Sequence, residues 1–137
     1  MPRNRGNRPV ASPDTFGKPA KPANHDDETP KFCLHFLRAD FDVHNLEATG
    51  QAAFAKALQK LAGSKWKDLI LAHRHGQGSE RIPREQIKAP IPQRFQDQDK
   101  FLVFRYNGKH PMAGVRVDDV FHVLWIERQF GELYDHG

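Results

Sequence analysis

Three arginines, a tyrosine, a histidine and a glutamate in the second half of this sequence are the residue types that RNA phosphodiester chemistry needs. Arg105, Arg116 and Arg128 fall in or just after three β-rich runs, Tyr134 and His136 lie close to the last residue, and Glu80 precedes the runs. Cleaving RNA without a metal means deprotonating a 2′-hydroxyl, stabilising a dianionic phosphorane and protonating the leaving 5′-oxygen. A guanidinium suits the middle task, because its planar fork meets two phosphate oxygens and stays charged. Imidazoles serve as general acids or bases near neutrality, which makes His136 a candidate for proton transfer. Tyr134 can orient a phosphate or stack on a base, an interaction worth ~1–3 kcal/mol. Glu80, in the polar loop before the runs, is a candidate base. The opposing account is that strand arginines are commonly solvated and that a terminal Tyr-Asp-His simply packs the last strand.

The elements that must position these groups follow from periodicity. Lys31–Leu37 is a compact apolar run that reads as a strand. Asn45 or Thr49 can cap a helix running to about Ala62, with Gly63 as its stop; Phe54, Ala57, Leu58 and Leu61 form its buried stripe. Ser64 can cap a second helix that places Trp66, Leu69, Ile70 and His73 on one face and ends at Gly76. Gln77 to Pro92 reads as a polar loop. Three strands follow, Lys100–Tyr106, Met112–Val117 and Val120–Ile126, separated by Asn107-Gly108 with Pro111 and by Asp118-Asp119. The last is apolar on both faces and is expected to be a central strand. The fold class expected is α+β: an N-terminal strand, two helices, then a three-stranded antiparallel meander in one sheet, helices on one face. If those helices cover Leu102, Phe104, Val115 and Val117, Arg105 and Arg116 emerge together on an open face.

Residues 1 to 30 hold six of the ten prolines and little apolar bulk, so they read as a disordered, basic, Pro-rich tail, and the domain is placed at 31–137. Arg3, Arg5 and Arg8 are offset there by Asp26, Asp27 and Glu28. With 137 residues there is room for one domain. No run is apolar enough to span a bilayer, no signal-peptide core is visible, and Cys33 is the single cysteine, so a reducing cytoplasm is the expected compartment. A formal charge of +4 leans toward polyanionic partners. Lys56, Lys60, Lys65, Lys67 and Arg74 make the helical pair basic, a candidate RNA-backbone footprint whose ordinary alternative is a solvated helix face.

Other constellations are weaker. His73 and His75 are neighbours but one, and such residues point in different directions on a helix. A metal-enzyme alternative would add His136, but spacing does not point to it as a third ligand, so neither metal nor cofactor is expected. Cys33 has no histidine beside it in sequence and is a poor nucleophile candidate.

The order strand, two helices, meander, with arginines in the strands and Tyr134 and His136 at the end, resembles the RelE/YoeB superfamily of bacterial toxins. The resemblance covers roughly Lys31 to Gly137. It implies an endoribonuclease that cuts messenger RNA on the ribosome and is neutralised by an antitoxin protein, with Arg105, Arg116, Arg128, Tyr134 and His136 at the family's sheet-arginine and terminal Tyr/His positions. Here the histidine follows the tyrosine, whereas in YoeB-like chains it precedes it. The chain is also similar to small uncharacterised bacterial proteins ending in Leu-Tyr-Asp-His. The alternative to a ribonuclease is a non-catalytic protein- or nucleic-acid-binding module of the same fold, from a phage or mobile element.

Overall fold

Alternating apolar residues in the C-terminal third can be satisfied only if both faces of the sheet are covered, and they are. The computed structural model describes residues 24–74 and 79–136. Its elements are β1 (Lys31–Cys33), α1 (Ala48–Ala62), α2 (Trp66–Arg74), β2 (Ser79–Pro83), β3 (Lys100–Asn107), β4 (His110–Val117) and β5 (Val120–Ile126), with three short 3-10 turns. The strands form one mixed sheet in the order β1-β5-β4-β3-β2, in which β1 pairs parallel to β5 and every other pair is antiparallel. The expected α+β class is present, but the expected three-stranded antiparallel meander is only part of a five-stranded mixed sheet, and Val120–Ile126, expected as a central strand, lies between β1 and β4, one place from the middle. No helix among the described residues is long and apolar enough to cross a membrane.

The helices share one face. Phe54 of α1 and Trp66 and Leu69 of α2 pack with Phe104, Tyr106, Met112, Phe121, Val123 and Ile126. Gly63 caps α1 as expected, but the N-cap is Glu47 without a side-chain bond, while Asn45 bonds Asp42 instead. The opposite face carries Phe101, Val103, Ala113, Val115, Leu124 and Trp125 under Ala89, Phe95, Leu133 and Tyr134. Trp125 is fully buried, meets Phe101 edge-on at 4.9 Å, and donates Nε1–H to Pro90 O at 3.0 Å. One side chain thus pins the 84–98 segment to the sheet.

Four expectations need correction. The face away from the helices is not open, because the 84–98 segment and the residues after β5 cover it. Ser79–Pro83, read as loop, is an edge strand paired to β3; its only large aliphatic residue is Ile82, so alternation was too short to see. The first strand is three residues, not seven, although Arg38 N–H reaches Leu124 O and Ile126 N–H reaches Phe41 O farther along. On β4 the faces are exchanged: Leu102 opposes Gly114 and Phe104 opposes Met112, so even-numbered residues of both strands share the helix face. Arg116 therefore lies with the helices and Val115 with the tail. Since β4 is apolar on both sides, only the hairpin register settles which side is which.

The boundary at Lys31 also moves, because Asn24–Pro30 belong to the fold. Carbonyls of Glu28 and Asp26 accept the first N–H groups of α2, from Trp66 and Lys67, both at 2.9 Å, meeting the donors that a helix start leaves free. Asp26 pairs with Arg116 and Asp27 with Lys67, each at 2.9 Å. His25 Nδ1 sits 3.0 Å from Glu28, and that bond, helped by Asp118 and Asp119, raises the imidazole above its ordinary value. A raised histidine contributes stability below its unfolded value and loses it as pH climbs through the folded one. Comparing thermal melts of wild type and His25→Gln, we expect wild type to melt higher below the ordinary histidine range and the gap to close as pH rises above it. A pH-independent gap would mean that the protonated ring is not what holds this segment.

Candidate functional site

Residues from four separate stretches meet at one end of the tail-covered face. Glu80 on β2 and Arg105 on β3 stand on that face by strand alternation, since Glu80 opposes Val103. The chain after β5 turns through Gly131 at φ +87° and returns across the sheet, where Lys88 N–H bonds Leu133 O at 2.8 Å. That return buries Leu133 and Tyr134 and brings His136 back beside Glu127.

Glu127 organises the cluster. It follows β5 directly and is 0% exposed. Its carboxylate accepts the Leu133 N–H at 3.0 Å, and both its oxygens lie 3.0 Å from His136 Nε2. A buried carboxylate persists only when paired in this way. The pairing commits Nε2 to Glu127 and leaves Nδ1 as the ring atom for other chemistry, as in other carboxylate–imidazole pairs. The imidazole is held flat between Phe130, stacked at 4.0 Å, and Tyr134, stacked at 4.3 Å. Tyr134 O–H reaches Glu80 at 3.4 Å, and burial together with the Glu80 and Glu127 charges pushes its phenol pKa well up. The phenol therefore stays protonated and serves as a donor. Arg105 is exposed, and its charge acts on Tyr134 in the opposite direction.

Four of the six residues picked for catalysis, Glu80, Arg105, Tyr134 and His136, are thus brought together, and two are not. Arg116 lies on the helix face over the Trp66 ring at 4.3 Å, bonded to Asp26, Asn24 O and Asp118 O. Arg128 is exposed and pairs with Glu132 at 3.3 Å. Three sheet arginines converging on one phosphate is therefore not what the fold builds, because β4 presents its opposite face and Arg128 lies past the strand end. Tyr134 is 3% exposed and offers no ring face to a base, whereas Phe130, stacked on His136 on one side, is 53% exposed. Lys56 and Lys60 line the solvent side of α1 and Lys65 and Lys67 the start of α2, all in the helix layer across the sheet from Glu80. The side chains of His73 and Arg74, and the whole of His75, fall outside the described residues.

Sequence reasoning missed Glu127 and Phe130. A carboxylate closing an unbroken apolar strand must find a buried partner, and that was the available signal for Glu127. Among the described residues, one group of potential metal ligands comes together, His25, Glu28 and Asp119, but Lys31 occupies Asp119 and Glu28 holds His25, which makes it an ion-pair network. Comparison with protein-family models, with curated proteins and with solved structures gave no match.

Proposed function

We propose that the chain is an RNA-binding endoribonuclease whose centre is Glu80, Arg105, Tyr134 and His136, oriented by Glu127. The observation that carries this reading is the convergence of acid, base and cation from strands β2 and β3 and the terminal segment, with Tyr134 bonded to Glu80 and His136 to Glu127. In the mechanism these residues support, Glu80 takes the 2′-hydroxyl proton as the 2′-oxygen attacks phosphorus. Arg105 balances the charge that develops on the phosphorane oxygens. The P–O5′ bond then breaks, and His136 gives a proton to the 5′-oxygen, leaving a 2′,3′-cyclic phosphate and a 5′-hydroxyl. Tyr134 holds Glu80 in place, and Phe130 supplies a stacking surface for a neighbouring base. Proton transfer and charge balance are covered by side chains, so this route asks for no metal.

The likeness to RelE/YoeB toxins supports messenger RNA on the ribosome as the substrate and an antitoxin protein as the partner. Expressing the full chain in bacteria and mapping 5′-hydroxyl ends on translated messages tests both. Growth arrest with new cut ends is the expected result; normal growth with intact messages removes the reading. The binding-module alternative is favoured by a specific observation, the engagement of Arg116 and Arg128 within the fold. It would be upheld by RNA binding without cleavage.

A further inference from the structure

The helix face carries a second cationic feature that the catalytic cluster does not use. Arg81, Lys100 and Arg116 line one open depression of about 190 Å³, floored by Leu102 and Gly114. The register explains the grouping: Arg81 opposes Leu102, Lys100 opposes Pro83, and Leu102 opposes Gly114, so all three cations sit on the helix side of adjacent strands. With two strand spacings between β2 and β4, they spread over roughly 10 Å. Arg81 and Lys100 are exposed and have no ion-pair partner among the described residues. Arg116 is braced by Trp66 beneath it and already holds an anion, the Asp26 carboxylate at 2.9 Å. A guanidinium stacked on an indole and facing a carboxylate is a formed oxyanion site, occupied by the protein's own chain.

The path from this depression to the Glu80 centre is short. Glu80 and Arg81 are consecutive on β2, which ends the sheet, and they point to opposite faces. A single strand of RNA laid over that edge touches both. We propose that Arg81, Lys100 and Arg116 form a phosphate-binding subsite for the RNA chain that continues around β2 to the Glu80 centre, and that Asp26 competes with RNA for Arg116. This rests on the ribonuclease reading, because RNA is the polyanion that the neighbouring centre would act on. The occupant is a single strand, whose backbone can bend across a sheet edge.

The test is fluorescence-polarisation titration of the full chain with a labelled 2′-O-methyl oligoribonucleotide of about twelve nucleotides, which cannot be cut. We expect Arg81→Ala/Lys100→Ala to weaken binding tenfold or more and to flatten the slope of log K against log salt by ~1.4, about 0.7 for each lost single-strand phosphate contact. Asp26→Asn should tighten binding by removing the competing carboxylate from Arg116, whose bonds to Asn24 O and Asp118 O remain. Circular dichroism of each variant confirms that the fold is intact. If wild type binds and the double variant keeps the same affinity and salt slope, the subsite is wrong, whatever cleavage at the Glu80 centre shows. If affinity falls as expected but wild type cuts no unmodified RNA, the subsite stands and the ribonuclease reading falls. An unchanged or weaker Asp26→Asn overturns the competition by Asp26.

Discussion

His136→Ala, Glu80→Gln and Arg105→Ala should each slow RNA cleavage by roughly 10²-fold or more, the usual scale for losing an acid–base group or a preorganised charge. Arg128→Ala should cut at the wild-type rate, because its guanidinium is spent on Glu132. The contrast separates this centre from an arrangement built on three sheet arginines, in which Arg128 would matter as much as Arg105. Removing the exposed Arg105 side chain leaves the core untouched, so its variant should melt within a few degrees of wild type. Glu127→Gln adds a finer test: an amide still accepts the Leu133 N–H but no longer balances an imidazolium. It should lower the cleavage rate while the Michaelis constant stays nearly unchanged, since its effect runs through His136 and not through contact with RNA. Equal rates for all these variants and wild type would exclude the cluster as a catalytic centre.

Why this centre was half legible follows from the distances in sequence that it bridges. Residue type and nearness to the chain end pointed to Tyr134 and His136, and their stacking is local. Glu80 is legible as a residue type but not as a strand position, because Ser-Glu-Arg-Ile-Pro at a sheet edge has one strongly apolar residue and a terminal proline. Its partner Tyr134 is 54 positions away, and no periodicity reports a contact of that span. Arg116 lies on the face opposite the one its sequence suggests for a related reason. The alternation within β4 is the expected one, but a strand apolar on both sides carries no mark of which side the helices take. That information lies in the hairpin, where Asn107 meets His110 across Gly108 at φ +60° and the register shifts between Arg105 and Asn107.

The helices were the most legible part, since Phe54, Ala57, Leu58 and Leu61 repeat at the helical period and a glycine follows. The N-terminal segment was the least. Asp26, Asp27 and Glu28 read as solvated charge, and what fixes them is tertiary: Arg116, Lys67 and the free N–H groups at the start of α2. Composition alone identifies stretches that cannot form a core of their own. It does not identify stretches that dock through polar contacts onto a core formed by others, and Asn24–Pro30 is one of these.

Gly114→Ala should be the most damaging single methyl group in the protein. A Cβ built at Gly114 lies 1.8 Å from His122 O and 2.8 Å from His122 C, and both are backbone atoms of β5 that no rotamer change can move. The cause is the irregularity in the β4–β5 ladder, where Ala113 opposes Trp125 and the next residue, Gly114, opposes Val123, leaving Leu124 as the extra residue. That bulge lets Leu124 and Trp125 both face the tail-side core, so relieving the clash means losing the bulge and shifting every residue beyond it. Overpacking alone costs ~1–3 kcal/mol. Here the displaced atoms belong to the middle of the sheet, and the change also unseats Trp125, whose removal from a core is worth ~3–5 kcal/mol. Against a typical stability of about 5–15 kcal/mol, much or all of the folded population is at stake. Thermal and urea melts should show a loss of at least 3 kcal/mol, or no cooperative transition, on the scale of large core losses. Gly131→Ala is the matched control, because nothing lies within 4 Å of its Cβ and only the left-handed backbone at φ +87° opposes the change; a cost of about 1–2 kcal/mol is expected there. Should Gly114→Ala melt like wild type, β4 and β5 would have to pair without the bulge, and the placing of both Leu124 and Trp125 in the tail-side core would be wrong with it.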